Sequence, residues 1–243
     1  MRPTIANMVL TAALLAAACN PAGAGSLQVE PVLLDVTAPG AASTVTLRNV
    51  GTTPINAQIR VFRWSLVNGQ EKLEPTTDVV ASPPAVSLAP NGQYIARVVR
   101  TSKQPVTGEE SYRLLVDQLP NLTQQKNGTI NLLVRYSIPV FFGTPDKKSP
   151  VMAWSLAVKD GKMFLTAQNS GERRLRISDL GLRDANGRSI SFGTGLAGYA
   201  LGQSSKSWIA PGNVKGFGAK GSVSVTAQSD NGPIQAVVSI ASR

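Results

Sequence analysis

The sequence predicts an all-β protein built as two β-sandwich domains, and three observations predict it. The 243 residues are rich in Val, Thr, Ser and Gly; 42% are hydrophobic and 5% aromatic, with no sustained heptad or 3.6-residue periodicity, the composition of a soluble, strand-rich chain. Short runs of alternating apolar and polar residues recur between Gly, Pro, Asn and Asp turn signals. The segment GTPDKKSP (143–150) interrupts that rhythm with prolines, a glycine and a charge cluster, as a linker does. At roughly 100 to 150 residues per domain, the length suits two domains.

Taken in order, the chain opens on a secretory leader. Arg2 supplies the positive start, MVLTAALLAAA (8–18) the apolar run, and Ala22-Gly23-Ala24 a small-residue cleavage site before Gly25. The run is too short for a membrane-spanning helix, which needs about 20 apolar residues. Lipid modification at Cys19 is disfavoured, because Ala16 stands where lipoprotein signals prefer leucine. Residues 1–24 are therefore expected to be removed on export, leaving 25–143 as the first domain, 144–150 as a linker and 151–243 as the second domain.

In the first domain Leu27–Val36 reads as a strand, and a turn at Ala38-Pro39-Gly40 leads to Thr44–Arg48. Asn49-Val50-Gly51 turns into Ala57–Ser65, and Asn68-Gly69 has the sequence of a two-residue hairpin turn. Beyond Pro75, Pro83 and Pro84 come Ala85–Leu88, a turn at Pro90-Asn91-Gly92, Tyr94–Thr101 and Tyr112–Gln118. The loop PNLTQQKNG (120–128) precedes a long strand, TINLLVRYSIPVFF (129–142). About seven strands at this spacing point to an immunoglobulin-like sandwich. After the linker the rhythm resumes with Ala153–Val158, a turn at Asp160-Gly161, Met163–Gln168, Leu175–Arg183, a turn at Asn186-Gly187, Ser222–Ala227 and Ile234–Ile240. The Gly- and Ser-rich GLAGYALGQSSKSW (195–208) is the most distinctive part of this half.

Composition also excludes whole classes of chemistry. The chain has no histidine, and its one cysteine, Cys19, leaves with the leader, so an exported protein is expected to hold no disulfide. Ser-His-Asp and Cys-His sites, histidine bases and nearly all zinc sites are removed. The adjacent pair Glu109-Glu110 sits in the polar stretch SKQPVTGEES, where solvated charges are a simpler reading than a glycosidase dyad. No P-loop, GxGxxG or EF-hand spacing is present, so no enzyme activity, metal, cofactor or small-molecule substrate is expected. Net charge is +10, or +9 without Arg2, which suits acidic partners. The basic residues are spread through QIRVFRW (58–64), YIARVVRTSK (94–103) and RRLRI (173–177) and read mostly as solvent-facing alternates. Nucleic acid would want exposed aromatics among them.

The long strand raises the functional question. Ile130, Leu132, Val134, Tyr136, Ile138 and Val140 share one parity, whereas Asn131, Leu133, Arg135, Ser137, Pro139 and Phe141 share the other. Ordinary strands run about 5 to 6 residues, and a long edge with a fully apolar face is an aggregation liability that proteins usually blunt. Here the pattern is sharpened.

These stretches resemble the periplasmic chaperones of chaperone–usher pilus assembly, the PapD-like family, and its archaic branch most of all. The resemblance rests on NVGTTPINAQIRVFRW (49–64), SPPAVSLAPNGQYIARVVR (82–100), ESYRLLVDQLP (110–120), RYSIPVFF (135–142), NSGERRLRISDL (169–180) and GLAGYALGQSSKSW (195–208), in that order behind a leader. It implies two immunoglobulin-like domains in a boomerang and a periplasmic protein that stabilises pilus subunits lacking their last strand. In the family the chaperone lends its own strand to the subunit, by donor-strand complementation, and delivers it to an outer-membrane usher. The matching donor residues are Ile130, Leu132 and Val134, with Leu27 and Val29 on the first strand as a second contact. Burying three such side chains in a partner releases roughly 5 to 9 kcal/mol gross, against an association cost of several kcal/mol. For all five residues, core packing is the alternative reading. Self-association of the free protein stays open.

The better-known branch of the family also binds the subunit's C-terminal carboxylate with a pair of basic residues in the interdomain cleft. This chain departs from it, reading Glu30-Pro31-Val32-Leu33-Leu34 on the first strand and Pro139 where a lysine is expected. Arg135, facing away from the donor residues, is the first candidate anchor and Arg97 the second, with Arg100 and Arg113 behind them. The competing reading is a carbohydrate-binding adhesin on the same sandwich, using Trp64, Trp154 and Trp208 as a sugar platform; their apolar strand contexts favour the core.

Overall fold

The computed structural model describes residues 26–120, 132–146, 148–212, 214–218 and 221–240; the leader with Cys19, and Ile130, lie outside the described residues. The chain forms β1 (Leu27–Glu30), β2 (Leu34–Thr37), β3 (Ala42–Asn49), β4 (Ile55–Val67), β5 (Gln70–Pro75), β6 (Val79–Ser82), β7 (Ala85–Leu88), β8 (Gln93–Arg100), β9 (Glu109–Leu119) and β10 (Arg135–Gly143). One sheet has the order β1-β3-β8-β6; the sheet facing it runs β2-β10-β9-β4-β5, with β7 also on β4. Inward parity builds the core between them: Val45 and Leu47, Ala96 and Val98, Tyr112, Leu114 and Val116, Ile138, Val140 and Phe142 are all buried, as period-two strands require.

The second half contributes β11 (Met152–Lys159), β12 (Lys162–Asn169), β13 (Leu175–Asp184), β14 (Ser189–Ser191), β15 (Leu196–Ala200), β16 (Ser204–Ile209), β17 (Val223–Ser229) and β18 (Gly232–Val238). Its sheets run β11-β12-β16 and β14-β13-β17-β18, with β15 on β13. A separate core lies between them, around Leu156, Leu165, Ile177, Leu180, Val223 and Val225. The fold is thus all-β, two immunoglobulin-like sandwiches in series.

Several strand expectations are corrected. The expected first strand, Leu27–Val36, is two strands in different sheets: β1 pairs with β3 and β2 with β10. Pro31 has no N–H to continue a ladder, so the chain crosses between sheets there. Beyond the expected strands the chain adds the polar β5, the four-residue β6 (VVAS) and the three-residue β14, and GLAGYALGQSSKSW holds two strands, β15 and β16, whose alternation Gly and Ser obscure. The hairpin turn is as expected: Asn68 and Gly69 both have positive φ, 52° and 77°, the type I′ geometry that suits a twisted ribbon.

Each sandwich carries the same local staple. Asn49 Nδ2 donates to the carbonyls of Thr53, Leu88 and Ala89, while its Oδ1 accepts from Gly51 N at 2.9 Å. Asn169 repeats it, donating to the Arg173 and Ala200 carbonyls and accepting from Gly171 N at 3.0 Å. Both sites read Asn-x-Gly, and each Asn is the last residue of its strand, β3 or β12. Between the sandwiches, Trp64, Phe141, Tyr199 and Leu201 form a third apolar cluster.

Candidate functional site

The stretch singled out by its alternation leads into an open sheet edge. β10 pairs with β9 along its whole length, but on its other side, among the described residues, β2 covers only Val140–Gly143. Among these residues Arg135 to Pro139 therefore present an unpaired backbone edge, contiguous with Leu132–Val134 before them. Leu132 is 78% exposed and Leu133 50%; Val134 is half-buried, and its carbonyl accepts from Gln118 N at 2.9 Å. The strand pattern expected from residue 129 begins only at Arg135 among the described residues.

A second open edge lies opposite. Among the described residues β1 pairs with β3 alone, and the Tyr136 hydroxyl donates to the Leu27 carbonyl at 2.8 Å, tying the start of β10 to β1 across the mouth of the sandwich. Leu27 and Val29 are 1% and 3% exposed. Their side chains belong to the core of this sandwich, so β1 presents its backbone and the outward Gln28 and Glu30.

The charged candidates separate. Arg135 faces Asp117 directly across the β9–β10 ladder, and its Nε donates to Asp117 Oδ1 while Arg60 donates to Oδ2 at 2.7 Å. Burial pushes the Asp117 carboxyl up, but the Arg135 and Arg60 hydrogen bonds outweigh it and hold the group below its usual range. Two guanidiniums on one carboxylate leave a surplus positive charge on this outward face, with Arg135 63% exposed. Arg97 is not in the cleft. Ala96 and Val98 point into the core, so Arg97 points outward from the other sheet, on the far side of the sandwich from Arg135.

Arg100 and Arg113 are engaged in the scaffold. Arg100 grips Glu110 with two bonds of 2.8 Å and donates to the Ser102 and Gln104 carbonyls. Arg113 stacks on Trp64, 3.7 Å from the ring centre, and pairs with Glu71 at 3.3 Å.

Charges that read as solvated turn out to join the two sandwiches. The Arg174 Nη1 and backbone N donate to the two oxygens of Glu109, its Nη2 reaches Asp35 at 2.7 Å, and its guanidinium lies 3.7 Å from the Phe141 ring centre. Arg173 adds longer contacts to Glu109 and Asp35. The Glu109 side chain is 1% exposed and that of Arg174 8%, because the start of β9 is covered by the turn after β12. Only the pairing of distant segments reveals this, although RRLRI and the Glu-Glu pair supplied its charges. Nor do the tryptophans make a platform. Trp64 is buried at the junction, and Trp154 and Trp208 stack on each other against the second core, with Trp208 Nε1 donating to the Ala197 carbonyl at 2.8 Å.

The sequence pattern of the pili and flagellar-assembly chaperones, PapD N-terminal domain, matches residues 26–147. No curated protein matches the chain. Among solved structures it resembles a chain of the CsuC–CsuE chaperone–tip adhesion subunit pre-assembly complex from archaic chaperone–usher Csu pili of Acinetobacter baumannii, with a TM-score of 0.69 and 21% identity over 89% of this chain and 99% of that one. The Salmonella enterica SafA pilin–SafB chaperone complex matches at 0.59 and 18% identity, over 88% and 97%. The Pseudomonas aeruginosa CupB2 chaperone matches at 0.56 and 17% identity, over 88% and 100%. At these identities the likeness is one of fold.

Proposed function

The chain belongs to the pili and flagellar-assembly chaperone family with a PapD-type N-terminal domain, and from that premise we propose that it is a periplasmic chaperone that holds pilus subunits by donor-strand complementation and passes them to an outer-membrane usher. The family is one of chaperones, and the reading assigns no catalytic step. Its division is 25–143 for the subunit-holding domain, 144–150 for the linker and 151–243 for the second domain, and export rests on the leader at 1–24.

One observation carries the reading: the first half of β10 is an unpaired edge that continues from exposed Leu132 and Leu133 and faces a second open edge on β1. An edge left open on both sides of one mouth suits β-augmentation, in which main-chain hydrogen bonds supply grip and alternate side chains supply specificity. Ile130, Leu132 and Val134 are the inserted side chains. β1 contributes by its backbone edge, its Leu27 and Val29 supporting that edge from below. Arg135, with Arg60 beside it, is the carboxylate anchor, since surplus positive charge stands at the junction of donor and closed segments.

The test is co-expression in a periplasm with the pilus subunit encoded beside the gene. With Ile130, Leu132 and Val134 all changed to Ser, the subunit should be degraded, while the wild type preserves it. Equal subunit survival with both would sink the donor-strand reading. Arg135→Ala should lower subunit recovery and Arg97→Ala should not; recovery unchanged by Arg135→Ala removes the anchor.

A further inference from the structure

Gln118 is a polar residue in an apolar row. The residues of its parity on β9, Tyr112, Leu114 and Val116, all point into the core, and Ala57, directly across from it on β4, is fully buried. Residues paired across a ladder share a face, so the Gln118 side chain also turns inward, at the end of the row where the sandwich opens. Its backbone N–H holds the Val134 carbonyl at 2.9 Å, which sets it beside the donor row. Among the described residues, its Oε1 is buried with no hydrogen-bond partner, a condition that buried polar groups of native proteins seldom show. The other side-chain atoms left this way among the described residues belong to Trp64, Arg113 and Arg174, which take part in arginine–aromatic stacks whose ring contacts account for their placement. No stack involves Gln118 among these residues. Beside it, at the end of the sandwich, lies a hollow of about 170 Å³ whose lining includes Ser26, Ile55, Asn56, Gln118, Leu132 and Leu133.

We propose that Gln118 is a specificity residue of the mouth between β1 and β10: when an extended segment of the subunit seats there, the Gln118 amide turns into this hollow and its Oε1 accepts an N–H of that segment. The proposal rests on the chaperone reading. The acceptor is unsatisfied in the free protein and satisfied in the complex, so both the new bond and the relief of a desolvated carbonyl add to the grip. Such a contact also supplies what an apolar row lacks. A slip of two residues keeps the same face of a strand buried, and Leu132 and Val134 are too alike to resist it. One polar contact at a fixed place does resist it, as a single buried amide fixes register in a coiled coil.

The experiment compares wild-type chaperone with Gln118→Met, a side chain of similar length without an amide. The complex is obtained by co-expression in a periplasm with the subunit encoded beside the gene. Two quantities are measured: the urea midpoint of the free chaperone, and the rate at which the purified complex releases its subunit on dilution. Gln118→Met should leave the midpoint unchanged or raise it, because an unpartnered acceptor is removed, and should speed release by at least about tenfold. A midpoint that falls, or a variant that does not fold, overturns the proposal, since the amide would then serve the scaffold. Any smaller acceleration of release overturns it as well. A wild-type chaperone that co-purifies no subunit overturns the chaperone reading itself, a failure visible before the variant is made.

Discussion

Asn49 shows how much a single side chain can organise. Its amide, itself fully buried, serves three carbonyls and one N–H of a turn and a neighbouring strand end. Removing the amide strands several at once, each at about 1–3 kcal/mol. Asn49→Ala should therefore destabilise the first sandwich by roughly 2 kcal/mol or more, read as a lowered urea midpoint, and Asn169→Ala should do the same to the second. A loss below about 0.5 kcal/mol at both sites, the size of an ordinary surface change, would show that the staple is redundant. Arg97 and Arg135 make the complementary point: both point away from the core, but from opposite sheets, and among the described residues only Arg135 of the two meets a carboxylate, Asp117. Parity on YIARVVR was legible in the sequence, and so was the outward direction of Arg97. Which solvent face it joined was not.

At the scale of elements, the β4–β5 hairpin links the two sandwiches. Its tip touches β16, where Ser207 N donates to the Gly69 carbonyl at 3.0 Å. A Cβ on Gly69 would stand 2.4 Å from Ser207 Oγ and 2.7 Å from Ser207 Cβ, at a φ of +77°. Gly69→Ala should lift the hairpin from β16 and loosen the junction, seen as faster proteolysis within 144–150 and a broader distribution of sizes in solution scattering. Adding Ser207→Gly removes both clashing atoms and should restore part of the wild-type behaviour; equal proteolysis of single and double variants would deny the contact a role. The Asn-Gly turn itself was readable as a hairpin. Its docking was not, because β16 lies in a Gly- and Ser-rich stretch whose strand character comes from pairing with β12 and not from its own propensity. β10 divides the same way: its alternation was plain, whereas its covering by β2 depended on Pro31 sending the chain into the second sheet.

For the whole molecule, the absence of histidine sets the pH response. With no imidazole in the chain, stability and subunit binding should be nearly flat between about pH 5 and 8. Glu110 and Asp117 are the groups that bring change at lower pH. Burial raises both, but arginine hydrogen bonds, with one from Tyr112 to Glu110, prevail and hold them below their ordinary 4.5 and 3.8. A carboxyl depressed in the folded state contributes stability that is present above its unfolded value and lost as pH falls through the folded one. Stability should thus decline below about pH 4.5, and Glu110→Gln should flatten part of that decline; an unchanged acid profile in this variant would remove Glu110 from the account. By itself the sequence determined the all-β class, the turn positions, the chemistry that the chain lacks and the apolar alternation entering β10, since local propensity and period two are written residue by residue. Tertiary structure alone decided which edges stay open, which face Arg97 occupies and which arginines are sequestered between the sandwiches. Those depend on pairing between segments far apart in the chain, and alternation marks two faces of a strand without saying what will cover either.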